Sequence, residues 1–266
     1  MAALRALFRL AGFSMYTLAL ISALLAGTLL LVPFNSLSRR FKTVLLHWWA
    51  VGAARIIGMK ITAKGPPPEP PFIMVCNHLS YLDALPLLAH ARGVFISRYE
   101  VKSWPFAGRL MQLLGMVFIK PSFRHDFSGI GEEMNRQVTE QQGLIFFPEE
   151  TTTEGFEVGS FHTSLLSFPV EWQFPVSYAA VTYYINGRHS AREYLCWRPG
   201  RSITYHFFKA LTLKRFEAVV NFGKQKVWKE NRKELAAELH NRISRLFVPV
   251  DYSPDHTNRR LIDTEG

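Results

Sequence analysis

Cysteine is scarce in this chain: Cys76 and Cys196 are the two in 266 residues. They build no disulfide framework, and no Cys-x-x-Cys pair offers a metal clip. A zinc site built on Cys76 and His78 lacks further ligands at the usual spacing. The Gly-x-Ser-x-Gly elbow of a serine hydrolase is also missing, since Gly159-Ser160 lacks the flanking pattern. No recognised nucleic-acid-binding motif occurs, so nucleic acid is not an expected partner. No internal repeat is visible. Acidic residues are in deficit, 21 Asp+Glu against 31 Lys+Arg, for a formal net charge of +10. That balance favours anionic partners such as membrane headgroups or an acidic carrier or cofactor. Charge is absent altogether from Leu10 to Ser38.

What is abundant is apolar. The composition is 48% hydrophobic and 20% charged, with 21 Phe, which excludes a disordered or collagen-like chain. The length suits one catalytic-sized domain plus an appendage. Leu10 to Phe34 is almost wholly apolar, and a helix of ~25 residues reaches ~37 Å, enough to cross a hydrocarbon core of ~30 Å. Arg5 and Arg9 precede it; Arg39, Arg40 and Lys42 follow. A cleaved signal peptide is the competing reading, but its apolar region runs only ~7–15 residues. From Val44 to Ile57 a second apolar stretch carries His47, Trp48, Trp49 and Arg55, and paired Trp suits a membrane interface. The amino-terminal part is therefore expected either to span once or to form a re-entrant or surface-lying helix pair. Five prolines then crowd into Gly65–Pro71; proline fixes φ and removes donors, which predicts a stiff extended linker. The expected organisation is membrane-anchoring helices over 1–64, the linker over 65–71, a catalytic domain over 72–250 and a polar tail over 251–266.

Beyond the linker, short apolar runs alternate with amphipathic ones. Strands are predicted at Phe72–Cys76, Gly93–Arg98, Met116–Lys120, Gly143–Phe147 and Phe174–Tyr184. Helices are predicted at Ala84–His90, Phe106–Leu114, Glu132–Gln142 and Lys224–Phe247, the last with Leu235, Leu239, Ile243 and Leu246 on one face. Tyr205–Leu213 reads as either strand or helix. The alternation implies an α/β domain.

Asn77-His78-Leu79-Ser80-Tyr81-Leu82-Asp83 follows the first strand of that domain, where open α/β sheets gather their ligands. A histidine there can act as a general base, and a carboxylate on its other ring nitrogen would fix its tautomer. Residues five apart on a regular helix point ~140° away from each other. His78 must therefore sit on a loop and Asp83 in the first turn, with a bend between them. The same residues also fit a purely structural device: Ser80 and Asp83 match a Ser-x-x-acid capping box.

A set of blocks in order resembles the glycerolipid acyltransferase family, whose best-known members are 1-acylglycerol-3-phosphate acyltransferases. The blocks are Asn77-His78 to Asp83, Gly115 to Lys120, Phe147-Pro148-Glu149-Glu150-Thr151 and Pro175-Val176. The resemblance covers about the central half of the chain. It implies a mixed, mostly parallel sheet flanked by helices, with an amino-terminal hydrophobic helical anchor. It also implies His78 as the base that deprotonates an acceptor hydroxyl, Asp83 as its orienting partner, and Glu149 as a residue ordering the acceptor site. Asn77, Thr151 and Thr152 fall in matching blocks and are expected to bind substrate. The implied donor is an acyl thioester, acyl-ACP or acyl-CoA. No metal or other cofactor is required, because a thioester carbonyl is already electrophilic.

Two departures bear on the acceptor. The family usually continues Phe-Pro-Glu with Gly and Thr-Arg, and that Arg commonly holds a phosphate; here Glu150, Thr151 and Thr152 follow. The second block usually ends in an Arg that is here Pro121, leaving Lys120 and Arg124 as substitutes for a phosphate site. The run Glu149 to Gly155 resembles instead a Thr-Thr-x-acid-Gly variant found among bacterial lyso-ornithine lipid O-acyltransferases, whose acceptor carries an amino-acid headgroup. Glu150 and Glu154 suit a cationic group better than a phosphate dianion. The expected acceptor is 1-acylglycerol-3-phosphate, with a lyso-ornithine lipid as the alternative. A catalytically degenerate membrane scaffold is the alternative of another class. The expected setting is an anionic bacterial inner membrane with the catalytic domain on the cytoplasmic face.

Overall fold

The computed structural model describes residues 1–31, 33–103, 107–119, 127–186 and 189–250. The apolar amino-terminal region forms a helical hairpin, α1 (Ala2–Leu30) and α2 (Asn35–Ile57). The two helices are stitched by Tyr16, whose hydroxyl donates to the Trp48 carbonyl at 2.6 Å. The Trp49 indole N–H donates to Thr17 Oγ1 at 3.2 Å. α1 has mean hydropathy 1.8 and is long and apolar enough to cross a membrane, yet Leu18, Leu25, Leu29 and Leu30 stand exposed. α2 turns its other face inward, burying Leu46, Ala50, Ala53, Ala54 and Ile57 in the core of the domain. It ends at Gly58, whose φ of +85° makes the left-handed cap that glycine adopts without steric cost.

Both ends of the hairpin are tied to the domain. Arg9 donates to the carbonyls of Leu213 at 2.6 Å and Lys214 at 2.9 Å, and Arg39, past the turn, donates to the Arg136 carbonyl at 2.9 Å. The sequence expectation of two amino-terminal helices is met by α1 and α2.

Seven strands form one sheet: β1 (Met59–Lys64), β2 (Ile73–Cys76), β3 (Gly93–Arg98), β4 (Val117–Ile119), β5 (Gly143–Phe146), β6 (Val176–Tyr184) and β7 (Phe216–Phe222). Their order is β1-β7-β6-β2-β5-β3-β4. β6 and β7 pair antiparallel; the other pairings between these seven strands are parallel. The sheet is thus mixed and mostly parallel, as the sequence implied. β2 and β5 are buried at every position, and β6 at all but its last. Strands covered on both faces lose the alternation of a half-exposed sheet and read as continuous apolar runs.

The covering helices are α3 (Ala84–Leu88), α4 (Tyr99–Lys102), α5 (Ala107–Leu113), α6 (Phe127–Gln137), α7 (Ser167–Glu171), α8 (Ala191–Leu195), α9 (Ile203–Leu211) and α10 (Arg232–Leu246). α10 buries Leu235, Leu239 and Ile243, the face its periodicity predicted. It begins only at Arg232, because Asn231 caps it by accepting from the Lys233 N–H at 2.7 Å. The segment expected to be either strand or helix is α9.

One boundary moves. β1 lies ahead of the proline stretch but pairs with β7 from Met59↔Phe216 to Lys64↔Asn221. The sheet therefore starts at Met59, and 65–71 connects two of its strands instead of separating an anchor ending at 64 from a domain starting at 72. Stiffness in the chain marks a connection, not a domain limit.

Candidate active site

β2 ends at Cys76, and the next residue fixes the exit of the chain. Asn77 accepts from the Val181 N–H at 2.7 Å and donates to the Val181 carbonyl at 3.0 Å. Its amide thus extends the β2–β6 ladder by one side chain. It is 1% exposed, and both ends of the amide are engaged by the strand beside it.

The bend that the five-residue spacing demanded is a 3₁₀ turn at Tyr81–Asp83. It brings Asp83 back under the loop, where Oδ2 accepts from His78 Nδ1 at 2.8 Å, the Leu79 N–H at 2.8 Å and the Ser80 N–H at 3.0 Å. Oδ1 accepts from the Tyr183 hydroxyl at 2.6 Å. Ser80 Oγ in turn accepts from the Leu82 N–H at 3.3 Å. The capping box and the His–Asp pair, rival readings of the sequence, are both present and share one carboxylate. Burying a carboxylate is costly unless donors surround it, and Asp83, fully buried, has four. Because Nδ1 donates to a carboxylate, the lone pair of neutral His78 lies on Nε2.

The imidazole is partly exposed, at 21%. One face is covered by Phe147, stacked at 3.9 Å between centroids and 9° between planes. Phe95 stacks behind Phe147 at 5.7 Å and 12°. These three rings come from the β2, β5 and β3 segments, neighbours in the sheet, and form an apolar slab at the carboxyl ends of parallel strands.

Glu149 holds the loop from below. It is 3% exposed, and its oxygens accept from the His78 N–H at 2.8 Å and the Gly159 N–H at 2.9 Å. Burial pushes its carboxyl up to about 7; the two backbone bonds act against that rise, and the charge of Asp83 adds to it. A Cβ at position 159 would stand 2.6 Å from Glu149 Oε2, so glycine is the residue that permits this approach. Glu150, where the resembled family has Gly, has φ of +57°, a backbone region that costs a non-glycine residue ~1–2 kcal/mol.

The other expected site residues divide. Thr151 is exposed. Thr152 is buried, and its hydroxyl has no hydrogen-bond partner among the described residues. Lys120 and Arg124 lie outside the described residues. Thr153 meets His78 directly, its N–H donating to the His78 carbonyl at 2.9 Å. Burial pushes the Cys196 thiol up to about 12 and raises Cys76 well above its usual range, so neither supplies a thiolate near neutral pH. A cavity of about 520 Å³ lined by Phe34, Arg40, Arg92 and Glu140 opens elsewhere. Arg92 immediately precedes β3, so this cavity lies at the amino ends of the strands, opposite His78, and is not the reaction site.

Three participants escaped the sequence reading. Tyr183 appeared only as part of a long strand, although a phenol inside a buried strand needs a partner for its hydroxyl. Tyr81 hydrogen-bonds His206 Nδ1 at 2.9 Å; burial lowers His206 to about 4, keeping it neutral. Arg198 arrives from a distant segment: the Trp197 N–H donates to the Leu79 carbonyl at 2.9 Å, and Arg198 pairs with Glu154 at 2.7 Å. Nothing local in the sequence signals that meeting.

Known proteins resemble this chain in sequence and in fold. Residues 59–182 match the Acyltransferase family model. A lyso-ornithine lipid O-acyltransferase of Pseudomonas aeruginosa is 33% identical over 148 residues, 54% of this chain and 55% of that protein. A 1-acyl-sn-glycerol-3-phosphate acyltransferase of Neisseria gonorrhoeae is 31% identical over 144 residues, 53% of this chain and 56% of that protein. The chain thus spans about half the length of these curated relatives. A lyso-ornithine lipid O-acyltransferase of Rhizobium meliloti aligns further, over 76% of this chain and 73% of its own length, at 26% identity. The fold matches the crystal structure of the 1-acyl-sn-glycerophosphate acyltransferase from Thermotoga maritima with a TM-score of 0.67. That match covers 92% of this chain and 95% of the other, at 19% identity. The segment that matches the Acyltransferase family model runs from β1 into β6 and holds both His78 and Asp83.

Proposed function

We propose that this protein is a membrane-associated O-acyltransferase that moves a fatty acyl chain from a thioester to the free hydroxyl of a lysolipid. The observation that carries the reading is the 2.8 Å bond from His78 Nδ1 to the buried Asp83 carboxylate, which leaves Nε2 as the basic atom of a partly exposed ring. His78 Nε2 takes the proton of the acceptor hydroxyl as its oxygen attacks the thioester carbonyl carbon. The C–S bond then breaks, and the departing thiolate recovers that proton from the imidazolium. Asp83 holds the ring in register and stabilises the charge that forms on it. The donor is acyl-ACP or acyl-CoA, and the net charge of +10 suits either acidic donor as well as an anionic bilayer. We place the hairpin along the cytoplasmic face of the membrane, apolar side in the acyl layer.

For the acceptor, 1-acylglycerol-3-phosphate is the reading supported by the block order and by the activity named for the Neisseria relative. A lyso-ornithine lipid is supported by the acidic Glu150 and Glu154 in the third block and by the names of the Pseudomonas and Rhizobium relatives. The test is acyl-thioester consumption by membranes carrying the wild-type protein or His78→Ala, with each lysolipid supplied. A positioned general base contributes ~10²–10⁴-fold, so the variant should lose at least ~100-fold while keeping its thermal midpoint. Retained turnover would reject His78 as the base.

A further inference from the structure

The catalytic loop carries a pair of opposite charges that the mechanism leaves unused. Thr153 donates its N–H to the His78 carbonyl, and Trp197 donates its N–H to the Leu79 carbonyl, each at 2.9 Å. The residues that follow, Glu154 and Arg198, form an ion pair at 2.7 Å. Two segments far apart in sequence are thereby pinned to consecutive carbonyls of the loop that holds the base, and each presents a charge one residue on. Trp197 also packs edge-on against Tyr81 of the same turn at 6.4 Å. The pair is open to solvent, 43% exposed at Arg198 and 36% at Glu154. An exposed ion pair contributes little to stability, so its partners can be exchanged at small cost.

We propose that Glu154 and Arg198, juxtaposed beside the His78–Leu79 segment, read the headgroup of the acceptor lipid and select a zwitterionic one. This rests on the lysolipid acyltransferase reading above and names its substrate class. Ornithine joined to an acyl chain through one of its two amines keeps one ammonium and one carboxylate. Such a headgroup opens the pair and re-forms it as two pairs, ammonium to Glu154 and carboxylate to Arg198. Every charge keeps a partner of opposite sign. A phosphate monoester gains Arg198 but sets a second negative charge against Glu154, and like charges at that range repel. Glu154 is the discriminating residue; Arg198 serves any anionic group.

The measurement is kcat/KM of the full-length protein in detergent micelles, with a lyso-ornithine lipid and with 1-acylglycerol-3-phosphate, for wild type, Glu154→Gln, Glu154→Asp and Arg198→Gln. Glu154→Gln should lower the ratio of zwitterionic to phosphate turnover at least tenfold, chiefly through KM. Glu154→Asp should keep the wild-type preference, and Arg198→Gln should weaken both acceptors. A residue that merely braced the loop would depress both acceptors alike and leave the ratio unmoved. A ratio that shifts less than twofold in Glu154→Gln overturns the assignment, as does a wild-type protein that acylates only the phosphate acceptor; both results leave the acyl-transfer reading standing. A wild-type protein that acylates neither acceptor overturns that reading, and this assignment with it.

Discussion

Glu149 shows how much a single buried carboxyl can impose on the loop above it. Its ordinary pKa of 4.5 is pushed up to about 7, burial being the largest cause. Between those values the folded chain holds a proton that the unfolded chain has released. Linkage then requires stability to fall as pH rises from 4.5 towards 7, by at most about 3 kcal/mol from this group. Replacing Glu149 with Gln removes the titration. Melting curves in detergent at pH 5 and pH 7.5 should show the wild-type midpoint falling relative to that of Glu149→Gln; parallel curves would mean the carboxyl titrates normally in place. At this scale the sequence was legible where chemistry is local. His78 and Asp83 lie in one seven-residue segment, and their spacing dictates the bend. Asn77 sits in the same segment, but its partner Val181 does not, so its use on the neighbouring strand was hidden. Tyr183 and Arg198 were hidden for the same reason.

Among the elements, α1 and α9 are joined in a way that links the hairpin to the catalytic turn. Arg5 donates to the Thr212 carbonyl, while Arg9 donates to those of Leu211, Leu213 and Lys214. The Leu211 and Thr212 carbonyls close the carboxyl end of α9, where a cation is favoured by both hydrogen bonding and the helix dipole, and those of Leu213 and Lys214 follow just beyond it. α9 carries His206, bonded to Tyr81, and Phe207, which meets Phe13 of α1 at 5.2 Å. Arg9→Ala should cost about 1–2 kcal/mol. It should also speed amide exchange across residues 203–214 while β6 stays protected. Unchanged exchange there would show that the guanidinium is dispensable. The long, strongly patterned elements were legible, among them α10, β6 and the apolar helix α1. β1 and β7 were not. β1 is a polar, half-exposed edge strand whose parallel partner lies across most of the chain, and no local pattern encodes a pairing at that distance.

At the scale of the whole molecule, the proposed membrane association gives the apolar face of α1 its cover. α1 exposes Leu18 at 64%, Leu29 at 76% and Leu30 at 75%, and a leucine moved from water into an apolar phase gains ~1.5–3 kcal/mol. A helix that displays several is stable only with that face covered. Two arrangements cover it: a helix that crosses the bilayer, and a hairpin that lies in one leaflet beside the domain. They differ in where the ends go. A crossing helix puts the α1 amino terminus and the α1–α2 turn on opposite faces. Arg9 on the 213 and 214 carbonyls and Arg39 on the 136 carbonyl hold both ends against one domain, so they should share a face. Ala3 and Ser36 are exposed, and the native Cys76 and Cys196 are buried, which makes single cysteines at the two exposed positions clean reporters. In sealed membrane vesicles of known orientation, Ala3→Cys and Ser36→Cys should react with an impermeant maleimide from the same side, and salt alone should not extract either variant. Labelling from opposite sides would establish a crossing helix and require the contacts at Arg9 or Arg39 to open in the membrane.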